Sequence, residues 1–290
     1  MTRYGSVEMG GTKTSVGFGS SPDDLSSVVT IPTTDPVVTL GRIIDHLAAG
    51  LPDAVGVASF GPIELRREDP GYGRITNTPK VGWSGTDVVG PIREAVRVPI
   101  GLDTDVNGAA LGEWRWGAGR GLDTFAYVTI GTGIGGGAVL QGRPLHGLGH
   151  PEMGHMTLRR HPNDRLEGTC LVHGDCLEGL ASGPSIEARF GNTADRLTGE
   201  EQREAIELET FYLAQMMRNL IYTLAPERII IGGGVAHMPG LLDSVGASLL
   251  HELSGYPGLV QHGPGFVVPP ALGSLSGLAG GLILAESAAG

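Results

Sequence analysis

Two glycine-bearing segments of the same form constrain the fold more than any other feature of this chain. Ser6-Val-Glu-Met-Gly-Gly-Thr-Lys-Thr-Ser-Val-Gly17 has a counterpart in Val128-Thr-Ile-Gly-Thr-Gly-Ile-Gly-Gly-Gly-Ala-Val139, with Gly10 corresponding to Gly131. Each reads as a strand, a glycine turn and a second strand (15–18 and 137–140). A chain that repeats this unit is expected to build two similar lobes, each offering backbone amides to one ligand; two ordinary hairpins are the alternative. Glycine is abundant well beyond these turns, at 49 of 290 residues, more than twice the usual share of about 7%. So many glycines belong where backbone comes close to something or φ is positive.

The rest of the chain alternates short β-type runs with helical patterns. The runs are Tyr4–Met9, Ala54–Ser59, 125–130 and 228–231, and the helical patterns 35–49, 106–116 and 200–224. Alternation of this kind predicts an α/β fold. At roughly 150 residues per domain, the length suits two lobes. The net charge of −11 excludes the basic footprint that nonspecific nucleic-acid or membrane binding needs. The stretch between Glu252 and Glu286 carries no charged residue, but Pro257, Pro264, Pro269 and Pro270 break it, which argues against a membrane span. The first residues lack the apolar core of a signal peptide. A soluble, cytoplasmic protein is expected.

Gly131-Thr132-Gly133-Ile-Gly-Gly136 matches G-x-G-x-x-G. A dinucleotide fold needs that loop to open a helix, whereas Gly-Ala-Val-Leu follows here and is strand-like. No G-x-x-x-x-G-K-[ST] is present either. What remains is a hairpin whose amides can face phosphate oxygens, with Thr12 and Thr132 adding hydroxyls. A third cluster, Gly232-Gly233-Gly234-Val235-Ala236, follows the run 228–231. It offers a turn against which a flat group such as adenine can lie, or a plain strand-to-helix turn.

Leu102-Asp103-Thr104-Asp105-Val106-Asn107 follows a short apolar strand at 98–100 and precedes the 106–116 helix. A carboxylate there can accept a proton from a hydroxyl substrate, and the same position suits a helix cap. His155, Cys170, His173 and Cys176 form a set with zinc-ligand spacing, the last three as C-x₂-H-x₂-C. Two thiols and two imidazoles suit tetrahedral Zn²⁺, and filling all four positions makes the ion structural. A Cys170–Cys176 disulfide is the alternative, and a reducing cytosol disfavours it. His46, His146, His161, His237, His251 and His262 carry no spacing signal and are expected at the surface or in packing roles.

Glu8-x-Gly-Gly-Thr-Lys13, the second Gly-Thr-Gly hairpin and the late Gly-Gly-Gly-Val resemble, in that order, the ROK family of sugar kinases within the actin/hexokinase-like ATPase superfamily. His150-Pro-Glu152-Met-Gly-His155, the Cys-x-x-His-x-x-Cys loop and His161-Pro-Asn-Asp164 are similar to its bacterial fructokinase branch. The resemblance implies a two-lobed actin-like (ribonuclease H-like) α/β fold with a cleft between the lobes. The small lobe is expected over 1–112 with a C-terminal helix at 277–290, and the large lobe over 113–276, with the zinc loop at about 150–180.

It further implies transfer of the γ-phosphoryl of ATP to the 6-hydroxyl of D-fructose, with Mg²⁺ as cofactor. Asp105 aligns with the catalytic aspartate of N-D-x-N, and Thr104 stands where that motif has a sugar-binding asparagine. Glu8 would help organise Mg²⁺ and phosphate, alongside Gly10, Gly11, Thr12 and Lys13. Thr132 and Gly133, with Gly131, would contact the phosphates and Pro184 would lie near the nucleotide. Gly232, Gly233, Gly234, Val235 and Ala236 would receive the adenosine. Glu152, His155 and Glu178 would bind sugar hydroxyls, with His155 serving zinc and sugar through one ring nitrogen each. A homodimer is implied by the family alone. Rival readings are a glucokinase, mannokinase or broad hexokinase, and a sugar-binding regulator without catalysis. The family's repressors carry an N-terminal DNA-binding domain, for which the motif beginning at Glu8 leaves no room.

Overall fold

The computed structural model describes residues 2–256 and 265–290; Pro257, His262 and Pro264 lie outside the described residues. The chain divides into two compact units. One comprises 1–120, 144–151 and 271–290, the other 121–143 and 152–270.

The first unit begins with β1 (Tyr4–Met9), β2 (Lys13–Gly19), β3 (Ser26–Pro32), α1 (Pro36–Gly50), β4 (Ala54–Ser59), α2 (Val89–Val96), β5 (Ile100–Thr104) and α3 (Asp105–Trp116). Its sheet has the order β3-β2-β1-β4-β5, with β1 antiparallel to β2 and parallel to β4. Every residue of β4 is buried, as a central parallel strand covered on both faces requires. Helix α1 starts where the Asp35 carboxylate accepts the amides of Val37 (2.8 Å) and Val38 (3.3 Å), with Pro36 at its first position. Its apolar stripe of Leu40, Ile43 and Leu47 joins Val7, Val16, Phe18 and Val57 in the core.

The second unit contains β6 (Thr124–Ile130), β7 (Ile134–Leu140), β8 (Arg143–Pro144, at the boundary), α4 (Leu177–Ala181), α5 (Gly183–Phe190), α6 (Gly199–Leu224), β9 (Ile229–Gly232), α7 (Leu241–Glu252) and β10 (Val267–Val268). Its sheet order is β10-β9-β6-β7-β8. Read from the β8 edge, this is the order of the first sheet, with a hairpin (β6/β7) followed by parallel pairings to β9 and β10. The two glycine segments are therefore the leading hairpins of two copies of one topology. No helix among the described residues is long and apolar enough to cross a membrane.

The last helix, α8 (Ser276–Ala289), returns to the first unit and accounts for much of the glycine. A β-carbon at Gly56 of β4 would lie 1.8 Å from Gly281 O, and one at Gly101 of β5 would lie 2.1 Å from Leu284 O. Backbone thus meets backbone where any side chain would hold the layers apart. The same contact decides the unit boundaries. The expected breaks at 112 and 277 fall inside α3 and α8, but both helices belong wholly to the first unit. Gly112 sits so close to α8 that a β-carbon there would lie 2.3 Å from Ser276 O. Residues 144–151 also group with the first unit, because His150 Nε2 accepts the amide of Ile63 at 3.2 Å and His146 reaches Asp103.

Around the acidic motif the strand is β5 at Ile100–Thr104, later than the expected 98–100. Asp103 therefore lies within the strand, and Thr104 is the N-cap of α3, its hydroxyl accepting the Asn107 amide at 3.2 Å. Neither aspartate takes the cap position.

Candidate active site

In the first unit Glu8 sits on β1, paired across the sheet with Ser15 and Ala58. Burial raises its pKa from 4.5 to about 7; the negative charge of Asp105 adds to the rise and Lys13 partly opposes it. Asp105 of α3 and Lys13 of β2 therefore both act on Glu8 of β1, although two of the three come from the hairpin and one from a strand-to-helix turn about a hundred residues on. Asp105 is the first residue of α3, and its Oδ1 accepts the amide of Val106 at 2.9 Å. Gly10, Gly11 and Thr12 form the turn between β1 and β2, closed by a bond from Gly10 N to Lys13 O at 2.9 Å.

A second cluster lies next to Asp105 and was not legible in the spacing. Asp103, only 3% exposed, accepts its neighbour's amide from Thr104 and the side-chain amide of Asn107, both at 2.7 Å. His146 Nε2 lies 3.1 Å from Asp103 Oδ1 and 3.2 Å from Asn107 Nδ2. The hydrogen bond to Asp103 raises the pKa of His146, while burial lowers that of His150. His146 thus has a specific partner while staying exposed, in keeping with its expected place at the surface. Asp103 lies in β5 and Asn107 in α3, so no single-helix periodicity signals their contact, and His146 comes from a segment whose placement only the fold decides.

In the second unit the turn Gly131–Gly133 is held from three sides. Gly131 N donates to Gly133 O (2.9 Å), Gly183 N donates to Gly131 O (2.7 Å), and Ile134 N donates to Glu178 Oε2 (3.0 Å). The bond from Gly183 brings the first turn of α5, with Pro184, to the hairpin that carries Thr132. The late glycine cluster arrives at the same place. Gly233 has φ +91°, and a β-carbon on it would lie 2.3 Å from Ile130 O. Its turn therefore lies against the end of β6, one residue before Gly131. Val235 and Ala236 follow in a buried turn of 3₁₀ helix. Gly232, Gly233, Gly234 and the Gly131 hairpin are thus neighbours in space.

His155, Cys170, His173 and Cys176 converge, each offering a ligand atom within 4.8 Å of the others. His155 Nδ1 lies 3.4 Å from Cys176 Sγ and 3.8 Å from Cys170 Sγ, and His173 Nδ1 lies 4.0 Å from Cys170 Sγ. Zn–S bonds of about 2.3 Å and Zn–N bonds of about 2.0 Å give a tetrahedron with edges of roughly 3.5 Å, so the donor set fits zinc in both chemistry and size. Burial pushes the Cys176 thiol up to about 11. Both cysteines are free thiols, which removes the disulfide alternative. Glu152 precedes the short turn Met153–His155, and its carbonyl accepts the His155 N–H at 3.0 Å. Burial raises the pKa of Glu152; Glu178 adds to the rise and His155 opposes it. The three residues expected to share a ligand are therefore within electrostatic reach of one another.

The ROK family pattern matches residues 4–288. A fructokinase of Zymomonas mobilis is 44% identical over 98% of this chain and 97% of its own length. A putative fructokinase of Bacillus subtilis is 41% identical over 98% of this chain and 95% of its own. Among solved structures, a ROK hexokinase from Thermus thermophilus superposes with a TM-score of 0.78 at 26% identity, covering 99% of this chain and 98% of that one. The repeated hairpin topology, the clustered glycine turns and this match across nearly every residue have one explanation: the chain belongs to the ROK family.

Proposed function

We propose that this protein is an ATP- and Mg²⁺-dependent fructokinase, transferring the γ-phosphoryl group of ATP to the 6-hydroxyl of D-fructose. The reading rests above all on Asp105 and Glu8, two interacting carboxylates in a chain so similar over its whole length to proteins named fructokinase. Asp105, at the start of α3, takes the proton from the sugar hydroxyl as its oxygen attacks phosphorus, the base such a transfer needs. The amides of Gly10, Gly11, Gly131 and Gly133 and the hydroxyls of Thr12 and Thr132 hold phosphate oxygens, with Lys13 contributing charge. Pro184, Gly232, Gly233, Gly234, Val235 and Ala236 bound the nucleotide. Glu8 offers a hard oxygen donor that suits Mg²⁺, which when bound neutralises charge on the transferring phosphates.

Glu152, His155 and Glu178 bind sugar hydroxyls. Thr104 accepts the Asn107 amide and keeps its hydroxyl proton to donate to a sugar. Zinc held by His155, Cys170, His173 and Cys176 is structural. His155 turns Nδ1 to the thiols, leaving Nε2 on the opposite side of the ring, the side available to a sugar. The reading includes a cytoplasmic homodimer, which sedimentation of the purified protein and fractionation of cells would test.

A panel of hexoses with ATP is the decisive experiment. Fructose should give the highest kcat/KM. Glucose or mannose outperforming it would reject the sugar assignment, and sugar binding without turnover on any hexose would favour a regulator.

A further inference from the structure

Glu8 stands where it does because a residue near the other end of the chain has no side chain. A β-carbon built at Gly277 would lie 2.3 Å from the Glu8 carboxyl carbon, 2.4 Å from Oε1 and 2.6 Å from Cγ. Gly277 is the second residue of α8, and its φ lies outside the left-handed region. Conformational freedom is therefore not what calls for glycine. Helix propensity favours alanine at such a position; only the room for the carboxylate favours glycine.

The backbone on either side cannot yield. Before Gly277, Ser276 donates its hydroxyl to the buried Glu113 carboxylate at 2.7 Å. Glu113 is anchored in turn by the amides of Ala271 (3.0 Å) and Leu272 (2.9 Å). After Gly277, Leu278 O accepts the Ser6 hydroxyl at 2.6 Å, and Gly281 lies against Gly56 of β4. Glu8 belongs to β1, in the middle of the same sheet. With strand and helix both fixed, a methyl group at 277 must move the carboxylate itself.

We propose that Gly277 is a positioning residue for phosphoryl transfer, fixing the place of the Glu8 carboxylate by leaving it the space a β-carbon would fill. The proposal rests on the reading of Glu8 as the carboxylate that faces Mg²⁺ and phosphate. A displacement of about 1 Å at such a site can cost up to about 100-fold in rate.

The test measures how much Mg²⁺ tightens binding of a non-hydrolysable ATP analogue, together with kcat and Tm, in Glu8→Gln, Gly277→Ala and the double variant. Gly277→Ala should lose most of the Mg²⁺-dependent gain and about 10- to 100-fold in kcat, with cooperative unfolding retained. In the Glu8→Gln background it should remove no further Mg²⁺-dependent gain. If Glu8→Gln keeps the gain, the reading of Glu8 fails and this proposal with it. If Glu8→Gln loses the gain while Gly277→Ala keeps it, the proposal alone is overturned. Should Gly277→Ala not fold, Glu8→Asp/Gly277→Ala decides, because the shorter acid leaves space for the methyl group. Recovery of a folded protein supports the contact, and failure to recover overturns it.

Discussion

The Glu178 carboxylate accepts the backbone N–H of Ile134 at 3.0 Å. Glu178 follows Cys176 of the cysteine–histidine cluster by two residues, and Ile134 opens β7 directly after the Gly131–Gly133 turn. One side chain therefore links the cysteine–histidine loop to the hairpin proposed to hold phosphate, and Gly133 is packed so close that a β-carbon would lie 2.6 Å from Glu178 Oε2.

Zinc should act on nucleotide binding through this link. Elemental analysis should find one zinc per chain, and Cys176→Ser or chelation should remove it. The metal-free protein should melt roughly 10 °C lower, the equivalent of a few kcal/mol for a domain of this size. It should also bind the ATP analogue more weakly. Glu178→Gln, which can still accept the Ile134 amide, should keep analogue binding where Glu178→Ala does not. Equal behaviour of these two variants would contradict the link.

Asp105→Asn should reduce kcat by about a thousandfold or more, in the range of lost acid–base groups, while leaving Tm and analogue binding close to wild type. Asparagine retains an oxygen for the Val106 amide that Asp105 accepts at 2.9 Å, so helix α3 has no reason to fray. Turnover within tenfold of wild type would remove Asp105 from the role of base.

Glu8 should impose a pH dependence near neutrality. Burial first and Asp105 second raise its pKa from 4.5 to about 7, against Lys13. In the metal-free protein the stability tied to its neutral form is complete below about pH 4.5 and lost as pH rises through about 7. The loss amounts to roughly 3 kcal/mol. Activity runs the other way, since the carboxylate form is the one that serves Mg²⁺. kcat/KM, which reports the free enzyme, should fall on the acid side with a midpoint near 7. Urea unfolding of Glu8→Gln at several pH values should show a shallower slope between pH 5 and 7; an unchanged slope would assign the titration elsewhere.

The glycine turns should separate on substitution. Gly131 has open space where a β-carbon would go and no left-handed φ, so Gly131→Ala should fold and weaken analogue binding more than fructose binding. Gly233→Ala meets both φ +91° and Ile130 O at 2.3 Å. It should lower stability by about 2–4 kcal/mol, measured by denaturant unfolding. Gly233 is therefore no clean probe of the nucleotide, although its sequence cluster reads like one.

The sequence by itself determined the elements and much of the proposed site. The repeated glycine segments became matching hairpins because strand periodicity and turn glycine are local properties. The Cys170–Cys176 spacing fits a metal because ligands three residues apart already constrain where their donor atoms can lie. Tertiary structure decided the rest. Thr104 rather than an aspartate caps α3, since β5 runs four residues further than its apolar core suggested. His146 reached Asp103 because residues 144–151 pack with the first unit. Most of the glycine excess that marks α8, β4 and β5 answers to distance rather than to turns. Gly56, Gly281 and Gly277 sit where two backbones or a backbone and a carboxylate come within contact, and such contacts exist only once segments over two hundred residues apart have packed together.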